Sequence, residues 1–252
     1  MTERGWLKIM TIRKVESRPH GWSAVIVAAG RGTRMGTKES KQYLELLGKP
    51  ILVHTMRIFD RMAEIREIVL VTGADDVERC RALVQGNGLG KVTKIVAGGA
   101  ERQHSVRIGI AAAACEWVMV HDGVRPLASP VAIRRVIDAA CRHDAAVLAV
   151  PVKDTIKQVD ADGLITGTPD RKTLWAIQTP QAFRAELLAA CHERAAAEGF
   201  LGTDDAMVVE RYGHAVAVAE GEYTNIKVTT PDDLAWAAYL LQSGKDGSEK
   251  GE

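Results

Sequence analysis

Five short apolar runs, with helically spaced stretches between them, constrain this chain more than any other feature. The runs are residues 23–28, 67–72, 92–96, 117–121 and 145–150; helix-period segments cover 50–62, 75–85, 104–115 and 130–143. Strands that are apolar along their whole length, rather than at alternate residues, need cover on both faces. Intervening helices supply that cover and predict an α/β fold built on a doubly wound, mostly parallel sheet. Ligands of such sheets bind beyond the carboxyl ends of the strands. Two chemistry-bearing segments fall at such ends: the loop after residue 28, and His121-Asp122.

The loop reads Ala28-Ala29-Gly30-Arg31-Gly32-Thr33-Arg34-Met35-Gly36, with Lys38 and Lys41 following. Glycines let backbone N–H groups approach phosphate oxygens, and cations offset the charge that backbone dipoles leave. The Gly-Lys-Ser/Thr ending of a P-loop is absent, and Met35 stands where a dinucleotide fingerprint needs a small residue. A lone Gly-x-Gly is equally a tight turn between strand and helix. Four cations in the same loop point instead to a triphosphate.

Formal net charge is +1, so no general basic field exists to hold nucleic acid; the positive charge is local and suits a small anion. Cys80, Cys115, Cys141 and Cys191 are widely spaced and read as small apolar packing groups in a reduced, cytoplasmic setting. No stretch reaches the ~18 apolar residues of a membrane span. Residues 1–22 read as a loose extension that is not a secretory signal, with Met10 as a candidate start. Residues 23–242 read as one domain and 243–252 as a disordered tail.

The alternation fails over about 153–171. Residues 154–159 and 164–166 flank Asp160-Ala161-Asp162-Gly163, a hairpin turn. Two strands alone are marginal in water, so this β-arm is expected to lean on a second subunit. Further elements are expected at 174–178 (strand), 184–198 and 203–212 (helices), 215–219 and 225–228 (strands) and 231–242 (helix). Thr230-Pro231-Asp232-Asp233 supplies an N-cap, a first-turn proline and acids for that last helix.

Several segments now read together: residues 28–35, Lys41-Gln42-Tyr43, Gly98-Gly99 with Ser105-Val106, Val120 to Pro126, Pro151 to Thr155, Thr173 to Gln181, and Asn225 to Thr229. In order and spacing, from about Ser23 to Leu241, they resemble the 2-C-methyl-D-erythritol 4-phosphate cytidylyltransferases. The resemblance implies a Rossmann-like nucleotidyltransferase domain with a protruding β-arm that builds a homodimer. It implies transfer of CMP from CTP to a sugar-alcohol phosphate, with Mg2+ or another divalent cation, and no nucleic-acid or membrane partner. The chain departs from the family's usual pattern at Gly123-Val124 and Val27, where backbone contacts survive.

The same resemblance casts Arg34 and Lys41 as transition-state stabilisers, and Arg171 and Lys227 as the pair positioning the acceptor phosphate. It places Thr155, Thr179 and Thr203 near the acceptor, with Arg171 and Thr155 acting on the neighbouring subunit if the arm docks there. Nucleotide contacts are expected from Ala28, Ala29, Gly30, Gly32, Gly98, Ser105, Asp122 and Arg125. Asp122, at a strand end, is placed either for the metal or for ribose hydroxyls. Arg125 either orients Asp122 or contacts phosphate, and Ser105 either reads cytosine or caps a helix. His121 reads as a structural histidine. Rival readings are a ribitol-5-phosphate cytidylyltransferase, a sugar-1-phosphate nucleotidylyltransferase and a catalytically inactive nucleotide-binding dimer.

Overall fold

The computed structural model describes residues 21–30 and 39–248, with backbone alone for 244–248. The first strand, β1 (Trp22–Ala28), is followed by a 3-10 turn at Lys41–Tyr43 and a small hairpin, β2 (Glu45–Leu46) and β3 (Lys49–Pro50). Then come α1 (Ile51–Asp60), β4 (Ile65–Thr72), α2 (Val77–Gly86), β5 (Val92–Ala97), α3 (Arg102–Ala112), β6 (Trp117–Asp122), α4 (Pro130–His143) and β7 (Ala145–Pro151). After a two-stranded arm, β8 (Gln158–Val159) and β9 (Ile165–Gly167), the chain continues through β10 (Trp175–Arg184), α5 (Ala185–Glu198), α6 (Asp205–Arg211), β11 (Ala217–Glu220) and α7 (Pro231–Ser248).

Seven strands form the main sheet in the order β11-β7-β10-β6-β1-β4-β5. All pairings are parallel except those of β10, which runs antiparallel to both β6 and β7. The apolar strands are covered on both sides, as their composition requires. Side chains of α1, α2 and α4 (Met56, Phe59, Cys80, Ile133, Val136) pack one face. Those of α3, α5 and α6 (Val106, Ile110, Leu188, Val208) pack the other. Chain order reverses at β1: β4 and β5 lie to one side and β6 to the other, which opens a crevice at the carboxyl ends of β1 and β6.

Local sequence explains the best-defined boundaries. Ser129 Oγ accepts from the Ala132 N–H with Pro130 at the first helical position, and Asp144 ends α4 at φ +64°. At α7, Thr230 Oγ1 accepts from Asp233 N–H, while Asp233 Oδ2 accepts from the N–H groups of Thr229 and Thr230. This is a reciprocal cap. The arm turn is held by Asp160 Oδ1, which accepts from Asp162 and Leu164, with Gly163 at φ +80°.

Four expectations need correction. Residues 225–228 form no strand; they run alongside Val124, whose carbonyl accepts from Val228 N–H. The strand expected at 174–178 is the first half of the ten-residue β10, because Gln181, Ala182 and Phe183 continue its pairing with β7 past an irregularity at 178–180. Trp22 belongs to β1 and is fully buried, so the core begins one residue before the expected boundary. The last helix passes 242 and continues to Ser248. Residues 1–20 of the N-terminal extension lie outside the described residues, as do Gly32, Arg34 and the other members of the loop at 31–38.

Candidate active site

At the carboxyl ends of β1 and β6 lies a cavity of about 170 Å³. Its walls are Val27 to Gly30, the 3-10 turn carrying Lys41 and Gln42, the β5–α3 connection from Gly99 to Glu101, and Arg102, Ser105, Asp122, Val124 and Lys227. Gln42 Nε2 donates to the Ala28 carbonyl at 2.8 Å, which ties the lysine-bearing turn to the end of β1. Tyr43 secures the same turn: its hydroxyl lies 2.9 Å from Thr72 Oγ1 and its ring beneath the Arg79 guanidinium.

Two glycines here differ. A Cβ on Gly98 meets Ser105 Oγ at 2.6 Å and the Ala29 Cβ at 2.7 Å, so only glycine lets the segment after β5 close against the segment after β1. At Gly30, which lines the cavity, a Cβ meets nothing within 4 Å among the described residues. Ser105 lies inside α3, with Oγ accepting from Gly99 N–H at 3.1 Å, and Glu101 is the residue that precedes the helix. Helix capping is therefore removed as an account of Ser105, which shapes the cavity wall.

Asp122 is the electrostatic centre. Lys227 Nζ lies 2.9 Å from its Oδ2, Arg102 Nε 3.4 Å from its Oδ1, and Arg125 Nε 3.6 Å from its Oδ2. Burial alone raises a carboxyl pKa, but the charges of Arg102, Lys227 and Arg125 outweigh it and hold Asp122 far below the usual range. Arg125 also donates to the Asn225 carbonyl at 2.8 Å. It thus braces Asp122 against the 225–228 segment, in keeping with the orienting alternative. Asn225 in turn donates to Gln178 Oε1 and to the Thr179 carbonyl, and this anchors the segment that aims Lys227.

A directed hydrogen-bond chain runs behind Asp122. His121 Nε2 lies 3.0 Å from the Arg125 carbonyl, which only accepts, so Nε2 carries the proton and Nδ1 accepts from Thr179 Oγ1 at 3.0 Å. Thr179 Oγ1 then accepts from Asp122 N–H at 3.1 Å. Burial lowers the His121 pKa to about 4 and keeps the ring neutral. The structural reading of His121 stands on this geometry.

A second cavity, about 160 Å³, opens on the other side of the same charges. Arg102, Asp122 and Lys227 line both cavities, while Arg125, Thr179 and Thr203 line only this one. Thr203 precedes α6, whose N-cap is Asp204, its carboxylate accepting from Met207 N–H. Thr155 and Arg171 are exposed on the arm, where Arg171 donates to the Lys153 carbonyl, and neither lines either cavity. The structure therefore does not bring these two to Asp122 within one chain. Sequence reading missed Arg102 and its buried partner Asp205, 2.9 Å apart. One signal was present: an arginine in the first turn of a helix opposes the helix dipole and needs a carboxylate to hold it there.

Fold and site together define a class: doubly wound α/β proteins with a charged crevice at the reversal of strand order. Residues 22–243 match the family model IspD, 2-C-methyl-D-erythritol 4-phosphate cytidylyltransferase. A protein of that name from Caldanaerobacter subterraneus subsp. tengcongensis is 49% identical over 223 residues, covering 87% of this chain and 98% of the relative. One from Geobacter metallireducens is 50% identical over 225 residues, covering 87% and 97%. The solved 4-diphosphocytidyl-2C-methyl-D-erythritol synthase of Anaerococcus prevotii superposes with a TM-score of 0.78 at 36% identity, covering 88% of this chain and 96% of that one. The 2-C-methyl-D-erythritol 4-phosphate cytidylyltransferase of Thermus thermophilus gives 0.71 at 32%, covering 86% and 98%. The chain belongs to the 2-C-methyl-D-erythritol 4-phosphate cytidylyltransferase family.

Proposed function

We propose that this protein transfers CMP from CTP to 2-C-methyl-D-erythritol 4-phosphate, giving 4-diphosphocytidyl-2-C-methyl-D-erythritol and pyrophosphate. The carrying observation is that two adjoining cavities share Arg102, Asp122 and Lys227. Two anionic substrates can then meet across one set of charges. The cavity at Ala28, Ala29 and Gly30 takes the nucleotide, and the one at Thr179 and Thr203 takes the acceptor. An acceptor phosphate oxygen attacks the CTP α-phosphorus; the new P–O bond forms as the bond to the bridging oxygen breaks and pyrophosphate leaves. A phosphomonoester, with a second pKa of about 6, is already largely ionised near neutral pH and needs no general base. Positioning and charge neutralisation supply the rate.

Lys41 and Arg34 follow the charge that builds on the α-phosphate. Lys227 holds the acceptor phosphate, with Arg171 and Thr155 arriving from a second copy of the chain on its arm. The backbone near Gly98, with Ser105, faces the base. Among the described residues no set of three His, Cys, Asp or Glu side chains could enclose a metal. One ionised carboxylate at the cavity nevertheless fits Mg2+, which is commonly held by one or two carboxylates plus substrate phosphates. Asp122 is that carboxylate, and the cation, when bound, neutralises triphosphate charge. No helix among the described residues is long and apolar enough to cross a membrane.

The ribitol-5-phosphate reading and the inactive-dimer reading are not favoured, since the family model and the relatives carry the methylerythritol name. The deciding experiment is pyrophosphate release with CTP and Mg2+ against a panel of acceptors. Turnover with 2-C-methyl-D-erythritol 4-phosphate well above that with ribitol 5-phosphate is expected. Equal rates would unseat the acceptor assignment, and CTP binding without release would unseat the enzyme.

A further inference from the structure

Arg102 is placed where a helix N-terminus repels it, in the first turn of α3, yet it is largely removed from solvent. Two carboxylates hold it, and they differ. Its Nη1 lies 2.9 Å from Asp205 Oδ2, whereas its Nε lies 3.4 Å from Asp122 Oδ1. Among the described residues, Asp122 divides its charge among three cations, whereas Asp205 Oδ2 pairs with Arg102 alone.

Asp205 is rigidly seated. It is 1% exposed, at the start of α6, and Gln181 Oε1 accepts from the N–H groups of both Asp205 and Ala206. On its far side, the buried His192 packs with its Nε2 3.2 Å from Oδ1. Burial would raise the Asp205 pKa, but the Arg102 charge outweighs it, so the carboxylate stays ionised.

We propose that Asp205, with His192 packed behind it, is a positioning residue that keeps Arg102 in the wall between the two cavities. The guanidinium is thereby free to exchange Asp122 for an anionic substrate oxygen without leaving the site. This rests on the cytidylyl-transfer reading above. A simple staple between α3 and α6 would not require the guanidinium to line both cavities, as Arg102 does.

The test uses the full chain with Asp205→Asn and Arg102→Ala, singly and combined, with rates normalised to the fraction that binds CTP. Asp205→Asn is expected to lower kcat about 10- to 100-fold, the usual effect of losing a partner that orients a reacting group. In the Arg102→Ala background the same change should cost less than about 2-fold, because its effect passes through Arg102. Added guanidinium ion should restore part of the Arg102→Ala turnover only while Asp205 is a carboxylate. Losses that multiply in the double variant, or an Asp205→Asn rate within about 3-fold of the parent, would overturn the inference while leaving the reaction intact. If Asp205→Asn does not fold, absence of guanidinium rescue in Arg102→Ala decides against it. A parent that releases no pyrophosphate overturns the reaction first, and this inference with it.

Discussion

At the scale of single residues the site is a contest between burial and charge. Asp122 stays ionised because, among the described residues, three cations face it, and His121 stays neutral because burial penalises its charged form. The sign of the pH response follows. The folded His121 pKa, about 4, lies below its unfolded value of about 6.5, so the unfolded chain takes up the proton first. Its contribution to stability is complete above pH ~6.5 and is lost as pH falls toward ~4, amounting to roughly 3 kcal/mol at most. Calorimetry should show the melting temperature falling through that window, and less steeply in His121→Gln; identical slopes would remove His121 as the source. For Lys41, which the Gln42–Ala28 bond holds at the cavity, replacement by Ala should lower turnover by at least ~100-fold, the cost of one transition-state charge contact. Pyrophosphate release within a few-fold of the parent would take Lys41 out of that role.

At the scale of elements, close approach of the segment after β5 and of α3 to the end of β1 builds one wall of the first cavity. Gly98 permits it, with a Cβ landing 2.6 Å from Ser105 Oγ and 2.7 Å from the Ala29 Cβ. Gly98→Ala should therefore push the segment after β5 from Ala29, cost about 1–3 kcal/mol of stability and weaken CTP binding. Denaturant unfolding and calorimetric titration measure both, and an unchanged CTP affinity would show that the wall tolerates the shift. Gly109 makes the same kind of contact on the neighbouring turn of α3, against Val25 and Val71. Elements with strong local signals were legible in the sequence: α4 with its Ser129 cap and Pro130 matches the expected 130–143 residue for residue. The 225–228 segment was not. Its apolar residues Ile226 and Val228 read as a strand, but they pack with Leu46, Ile51 and Val124 outside the sheet. Local pattern does not say which neighbour buries an apolar residue.

The arm raises the question that belongs to the whole molecule. Val159, Leu164 and Ile165 are each more than half exposed, and the nearby Trp175 and Ile177 about two-fifths, around a ladder of only two short strands. Such a hairpin is marginal alone, and this supports the proposed pairing of two copies through it. Sedimentation should then report a dimer. Mixing inactive Arg171→Ala and Lys41→Ala chains should restore up to about a quarter of parental activity if sites are shared across the interface and subunits exchange at random. Mixtures no more active than either variant alone would place Arg171 and Lys41 in the same chain's site.

Strand composition and periodicity by themselves determined the layered α/β architecture, because a fully apolar strand has few ways to be covered. Glycine, lysine and carboxylate residues at strand ends, Gly30, Lys41 and Asp122, likewise meet at one cavity, since chain direction in a parallel sheet fixes those ends on one side. Tertiary structure alone decided how the charges are shared. Arg102, Asp122, Asp205 and Lys227 come from the starts of α3 and α6, the end of β6 and an irregular segment, up to 125 positions apart (227 − 102). Electrostatic pairing depends on distance in space and on burial, and neither is written in the spacing of residues along the chain.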